Sequence, residues 1–265
     1  MTYKVSEIFD SIQGEGLLGG MPSTFIRLAG CNLSCSWCDA AYTWKGDVKF
    51  DEYDLDELVA HVNHEHVVVT GGEPLIHDGI YELFEALDSR GLHVTVETNG
   101  TIFPHSSAAM GFVQLYSVSP KLGTSGQVAQ LDMRALNDFA ALGPNGVQFK
   151  FVASDEEDYR AALELLRNLD VLVHGTPLFV QPNGLCHTAV VTAGGHARIT
   201  DQDAGTRQLY PGVEKGPLML ETPYLDRVRW LYELVEQSQR DGSCEFPIRA
   251  VVQAHKLAWG NRRSH

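Results

Sequence analysis

The stretch STFIRLAGCNLSCSWCDA, Ser23 to Ala40, decides how the rest of the chain is read. Its first part, STFIRLAG (Ser23–Gly30), has the β-branched and aromatic content of a strand. Its second part puts Cys31, Cys35 and Cys38 into one loop. The chain has five cysteines, and the other two, Cys186 and Cys244, lie far away. A strand that runs straight into a chemically loaded loop points to an α/β fold, where function collects at the carboxyl ends of strands.

Outward from this stretch, strands and helices alternate. The pattern predicts strands at His66–Thr70, His93–Gly100, Gln114–Lys121, Val147–Val152, Pro177–Pro182 and Ile248–Gln253. It predicts helices at Asp54–Asn63, Gly79–Gly91, Asp155–Leu169 and Pro223–Gln239. Such alternation argues for a parallel sheet with crossover helices. The unusual segments fall after strands: the cysteine loop, GGEP (Gly71–Pro74), ETNG, SPK, QP and QAHK. VSEIF followed by SIQGEG reads as a chain leading into a glycine turn. Asn183–Thr222 has scattered Gly and Pro without clean periodicity and reads as a lid or an insertion. No internal repeat is visible, and residues 1–265 read as one domain.

The 265 residues carry a formal net charge of −14. That balance argues against a protein that tracks nucleic-acid backbone or an anionic membrane. The opening MTYKVSEIFDSIQGEG has early acids and no apolar centre, unlike a secretory signal. The apolar runs are too short to span a bilayer. The expected compartment is the reducing cytoplasm, where clustered cysteines are metal ligands or reactive thiols rather than a disulfide.

The spacing is Cys-x3-Cys-x2-Cys. Structural zinc takes four protein ligands, and no fourth Cys or His lies near in sequence. Ferredoxin clusters use four thiolates. Three thiolates on a 4Fe-4S cube leave one iron open to a small molecule. A zinc-stabilised binding module with a distant fourth ligand is the rival reading.

The triple, with Trp37 before its last cysteine, resembles the signature of radical S-adenosylmethionine (SAM) enzymes. The resemblance implies a 4Fe-4S cluster on Cys31, Cys35 and Cys38, whose open iron chelates the amino and carboxylate groups of SAM. It implies SAM contacts at Gly72 and Glu73 of GGEP, with Glu73 suited to the ammonium. Further SAM contacts are implied at Ser119, Pro120 and Lys121 of SVSPK, and at Gln181, Pro182, Asn183 and Gly184. The fold implied is an incomplete, TIM-like βα barrel.

SIQGEG, FIRLAGCNLSCSWCD, VETNGT and the terminal QAHKLAWGNRR together resemble the 7-carboxy-7-deazaguanine synthase family. That resemblance implies a pterin substrate, 6-carboxy-5,6,7,8-tetrahydropterin. A deoxyadenosyl radical takes a hydrogen from it, and the ring contracts with loss of ammonia. Substrate contacts are implied at Ile12, Gln13, Gly14, Glu15, Thr70, Gln253 and His255. Arg27 is placed to fork onto a carboxylate. A homodimer and a flavodoxin-type reductant are implied too. Many members carry Thr or Ser after the Cys-Asp pair, where magnesium (Mg2+) meets the substrate carboxylate. Here that residue is Ala40, which has no side-chain oxygen, so a weakened magnesium site is expected. A radical activase acting on a partner protein would share the cysteines and GGEP, but would not need IQGEG or QAHK.

Overall fold

The computed structural model describes residues 2–104, 111–169, 174–184, 188–191, 197–200 and 223–259. Its strands are β1 (Thr2–Ile12), β2 (Pro22–Leu28), β3 (Asp51–Asp54), β4 (His66–Gly71), β5 (His93–Thr98) and β6 (Leu115–Val118). They continue as β7 (Val147–Ala153), β8 (Leu178–Pro182), β9 (Thr188–Val191), β10 (Ala197–Thr200) and β11 (Arg249–Ala250). The helices are α1 (Leu55–Ala60), α2 (Ile80–Ser89), α3 (Met133–Ala140), α4 (Glu156–Arg167), α5 (Pro223–Asp241) and α6 (Ala254–Trp259).

Among the described residues, nine strands form one sheet in the order β11-β8-β7-β6-β5-β4-β2-β1-β3. Every pairing from β2 to β11 is parallel. The sheet stays open, as a partial βα barrel does. β9 and β10 pair with each other. They lie in the stretch read as a lid or insertion, most of which, with Cys186, falls outside the described residues.

Successive side chains of a strand point to opposite faces, and that alternation builds two different surfaces. One face carries Val67, Val69, Val94, Val96, Val118, Phe149 and Phe151, all fully buried. The apolar sides of α2 (Leu83, Phe84, Leu87), α3 (Leu136, Phe139) and α4 (Tyr159, Leu163, Leu166) complete this core. The helices start where capping allows: Asp132 accepts from Arg134 N and Ala135 N, and Asp155 from Asp158 N. Among the alternate positions, Thr70, Glu97, Ser117, Gln148, Lys150 and Gln181 are polar. They face the concave side.

Two expectations are corrected. The segment before SIQGEG is a strand of 11 residues, antiparallel to both β2 and β3, so the sheet is mixed rather than parallel. Its period-2 signal is broken by a register shift between Val5 and Glu7, where a bulge turns the following residues over. The last strand is only Arg249–Ala250, because the chain then leaves the sheet to join the site. The short helices α3 and α6 and the strands β9 and β10 gave no clear signal, nor did β3, whose DEYD sequence suits a charged edge strand.

Candidate active site

The loop Cys31–Cys38 leaves the end of β2 and is clamped by the loop after β6. Ser36 N donates to Ser125 O at 3.0 Å, Ser36 Oγ to Thr124 O at 2.7 Å, and Trp37 Nε1 to Thr124 Oγ1 at 3.0 Å. Thr124 is itself held by buried Asp158, which accepts from Thr124 N at 3.1 Å and from Thr124 Oγ1 at 2.5 Å. Asn99 Nδ2 reaches Asn32 Oδ1 at 2.9 Å from the end of β5. All three thiols are free and half-buried, and all line one cavity. Burial raises each thiol, Cys31 to about 11. A metal bound by these sulfurs would have to displace their protons.

The floor of the same cavity is an ion network drawn from four strands. Burial pulls the Glu15 carboxyl up, yet the Lys150 ammonium beside it, helped by His255 and Gln253, holds it well below the usual carboxylate range. Burial likewise pulls Lys150 down, and Glu15 and Glu97 push it back above its ordinary value. Lys150 Nζ lies 3.9 Å from Glu97 Oε1. Glu97 also accepts from Thr70 Oγ1 at 3.0 Å and from Gln13 Nε2 at 3.3 Å. Gln148 ties the GEG turn to the barrel, donating to Ser117 Oγ at 2.8 Å and accepting from Leu17 N at 2.8 Å. Gly16, at φ 68°, leaves room for that amide, since a Cβ there would lie 2.6 Å from Gln148 Oε1.

The carboxyl-terminal segment seals one side. Ala254 N donates to Gly14 O at 2.9 Å, Gln253 Nε2 to Glu15 Oε1 at 2.6 Å, and the His255 ring fills the space a Cβ on Gly14 would need. Burial keeps His255 below its ordinary value, against the pull of Glu15. Two buried acceptors here, Gln181 Oε1 and Gln253 Oε1, have no hydrogen-bond partner among the described residues. Arg27 forms an ion pair with Glu7 at 3.3 Å, but its buried Nε–H is not aligned to donate to it. Burial pulls Arg27 down, and Tyr42, Asp39, Glu7 and Glu97 raise it above its ordinary value.

Among the residues singled out in the sequence, the structure brings together Ile12, Gln13, Gly14, Glu15, Arg27, Thr70, Gly72, Ser119 and Lys121. Gln181, Asn183, Gly184, Gln253, His255, Ala40 and the three cysteines line the cavity with them. Glu73, Pro120 and Pro182 do not line it. Glu73 has no exposed surface, and its carboxylate accepts from Leu75 N, Thr98 Oγ1 and Asn99 N at 3.1, 2.8 and 2.7 Å. Burial raises it, those bonds oppose the rise, and the group ties GGEP to β5. Thr43 is no substitute for the missing hydroxyl at Ala40, because it is fully buried and does not line the cavity, its Oγ1 donating to Ala40 O at 2.8 Å. Glu97, Lys150, Gln148 and Ser117 were missed. The signal available was polar residues at every second position of strands otherwise apolar.

Comparison with known proteins gives a consistent picture. The radical SAM superfamily matches residues 25–180. The 7-carboxy-7-deazaguanine synthase of Halobacterium salinarum is 37% identical over 207 residues, 69% of this chain and 78% of that protein. The Bacillus cereus protein of the same name is 28% identical over 269 residues, 98% of this chain and 97% of its own. The crystal structure of QueE from Escherichia coli superposes with a TM-score of 0.57 at 30% identity, covering 70% of this chain and 85% of that one.

Proposed function

Because this chain belongs to the radical SAM superfamily, and within it to the 7-carboxy-7-deazaguanine synthases, we propose a specific division of labour among its cavity residues. The chain is a lyase of 7-deazapurine (queuosine-type) biosynthesis, with a 4Fe-4S cluster and SAM as cofactors. It converts 6-carboxy-5,6,7,8-tetrahydropterin to 7-carboxy-7-deazaguanine with loss of ammonia.

The residues present suit these cofactors. Cys31, Cys35 and Cys38 hold the cluster. Gly72 lets backbone pass the cysteine loop, since a Cβ there would strike Gly30 O and come within 2.8 Å of Cys31 Cβ. Gly72, Ser119, Lys121, Gln181, Asn183 and Gly184 hold SAM, and the unpartnered Gln181 Oε1 is one acceptor for it. Bound there, cluster and SAM would supply one-electron radical chemistry at the pterin. Everything else the chain does is binding, orientation and exclusion of solvent.

Arg27 receives the substrate carboxylate with its planar, half-buried fork. The backbone of Ile12 to Gly14 and the amides of Gln13 and Gln253 meet the edge of the pterin, whose donors and acceptors are arranged like those of guanine. Lys150 keeps Glu15 ionised, so it remains an acceptor for ring N–H groups, and the Glu97 carboxylate lies beside it on the same lysine. Position 40 does not suit magnesium: Ala40 offers no oxygen, Thr43 is turned away, and Asp39 is 3.7 Å from Lys256. No step is assigned to that ion.

A flavodoxin-type protein is the electron donor, and two chains associate as a homodimer in the cytoplasm. Among the described residues no helix is long and apolar enough to cross a membrane.

The observation that carries this reading is the convergence of three free thiols and a buried Glu–Lys–Glu network on one cavity. The test is anaerobic turnover of the carboxytetrahydropterin with SAM and a reductant, followed by mass spectrometry. The expected products are 7-carboxy-7-deazaguanine and ammonia. SAM cleavage with the pterin recovered unchanged would refute the substrate assignment.

A further inference from the structure

We infer that Trp44 is a positioning residue for the cluster, its indole N–H setting the electron affinity of the iron bound at Cys38. The inference rests on the reading of Cys31, Cys35 and Cys38 as cluster ligands.

Trp44 Nε1 donates to Cys38 Sγ at 3.3 Å. The geometry that aims it is built from the backbone. A 3-10 turn, Ala41–Thr43, follows the cysteine loop. Trp44 N donates to Ala41 O at 3.1 Å, and Gly30 N, just before Cys31, donates to Thr43 O at 2.7 Å. The turn is thus stitched to both ends of the loop, and Trp44 lies back over Cys38 along the cavity wall. Trp37, by contrast, spends its indole N–H on Thr124 Oγ1, so the two tryptophans have different tasks. An indole nitrogen is a donor only. A neutral thiol is a weak acceptor, and a metal-bound thiolate is a stronger one, because charge-assisted hydrogen bonds are about twice as strong. Each electron added to the cluster increases negative charge on its sulfurs. A donor at the sulfur therefore favours the reduced state, the lever by which hydrogen bonds tune such centres. In the step concerned the cluster gains one electron from an external low-potential one-electron donor, and the indole keeps its proton.

The probe is the protein with its cluster reconstituted, with tryptophan at position 44 replaced by its benzothiophene isostere, which swaps N–H for sulfur and keeps the ring volume. Trp44→Phe is the genetic counterpart. Two readouts are taken. The first is a mediated redox titration followed by electron paramagnetic resonance. The second is the exchangeable-proton hyperfine coupling of the reduced cluster in light and heavy water. At a poise where wild type is half reduced, the ratio of reduced to oxidised cluster should fall about fivefold in both variants, and one exchangeable coupling should vanish. An unchanged ratio with full iron content would overturn the inference. So would loss of iron in the isostere, which would make Trp44 a packing residue. A wild type that bound no 4Fe-4S cluster would instead overturn the underlying cluster assignment.

Discussion

Lys150 shows what one buried side chain decides. It is the cation between two buried or half-buried carboxylates, and a buried charge left without its partner is costly. Lys150→Met should therefore destabilise the protein by about 3–5 kcal/mol. The double change Glu15→Gln with Lys150→Met should cost less than the sum of the two singles, because no lone charge is then left at that contact. Denaturant unfolding of the two singles and the double tests this, and strict additivity would remove the ion pair from the account. Arg27 is decided by shape rather than charge. Arg27→Lys keeps the cation but loses the fork, so substrate affinity should drop roughly tenfold while SAM affinity stays put. Equilibrium binding of each ligand separates them, and an equal loss of both would place Arg27 against the wrong molecule.

At the scale of elements, the cysteine loop depends on a neighbour it does not touch in sequence. The chain runs Asp158 on α4, then Thr124 after β6, then Ser36 and Trp37 in the loop. Thr124→Val removes the hydroxyl that links Asp158 to the Trp37 indole and leaves the buried carboxylate with one donor fewer. A net loss of about 1–2 kcal/mol in holding the loop is expected. Iron should leave the reconstituted protein several-fold faster under a chelator, with helix content by circular dichroism unchanged. Retention equal to wild type would mean that the backbone bonds of Ser36 suffice. The carboxyl-terminal turn is a second dependent element. It docks on Gly14 through one backbone hydrogen bond and the His255 ring, which is why a two-residue strand is enough to bring it there.

At the scale of the whole molecule, His66 links three strands behind the site. Ser23 Oγ donates its proton to Met21 O at 2.8 Å, so it must accept from His66 Nδ1, 2.7 Å away. His66 Nε2 is then the acceptor for Thr95 Oγ1 at 2.8 Å. The neutral ring is fully matched, and burial, with His93 adding to it, lowers His66 from 6.5 to about 4. The unfolded chain therefore takes up the proton first as pH falls. His66 stabilises the fold in full above about 6.5, and that contribution is lost between about 6.5 and 4, up to ~3 kcal/mol. His66→Gln should be less stable than wild type at pH 7, and the gap should close towards pH 4. A gap independent of pH, measured by denaturant unfolding, would contradict the assigned protonation. The same contrast of local and distant partners separates what could be read in the chain. The sequence by itself determined the cysteine triple, the strand-end motifs and the alternation of strands and helices, because ligand spacing and hydrophobic period are local properties. Only the tertiary structure decided that Lys150 meets Glu15 across 135 residues and Gln253 meets it across 238. It decided too that Glu73 turns inward, that β1 joins the sheet in reverse, and that Trp44 rather than Trp37 faces a cysteine sulfur. A polar residue in a strand declares its face through the period of two. Its partner is set by which strands become neighbours when the apolar face is buried, and no local pattern contains that.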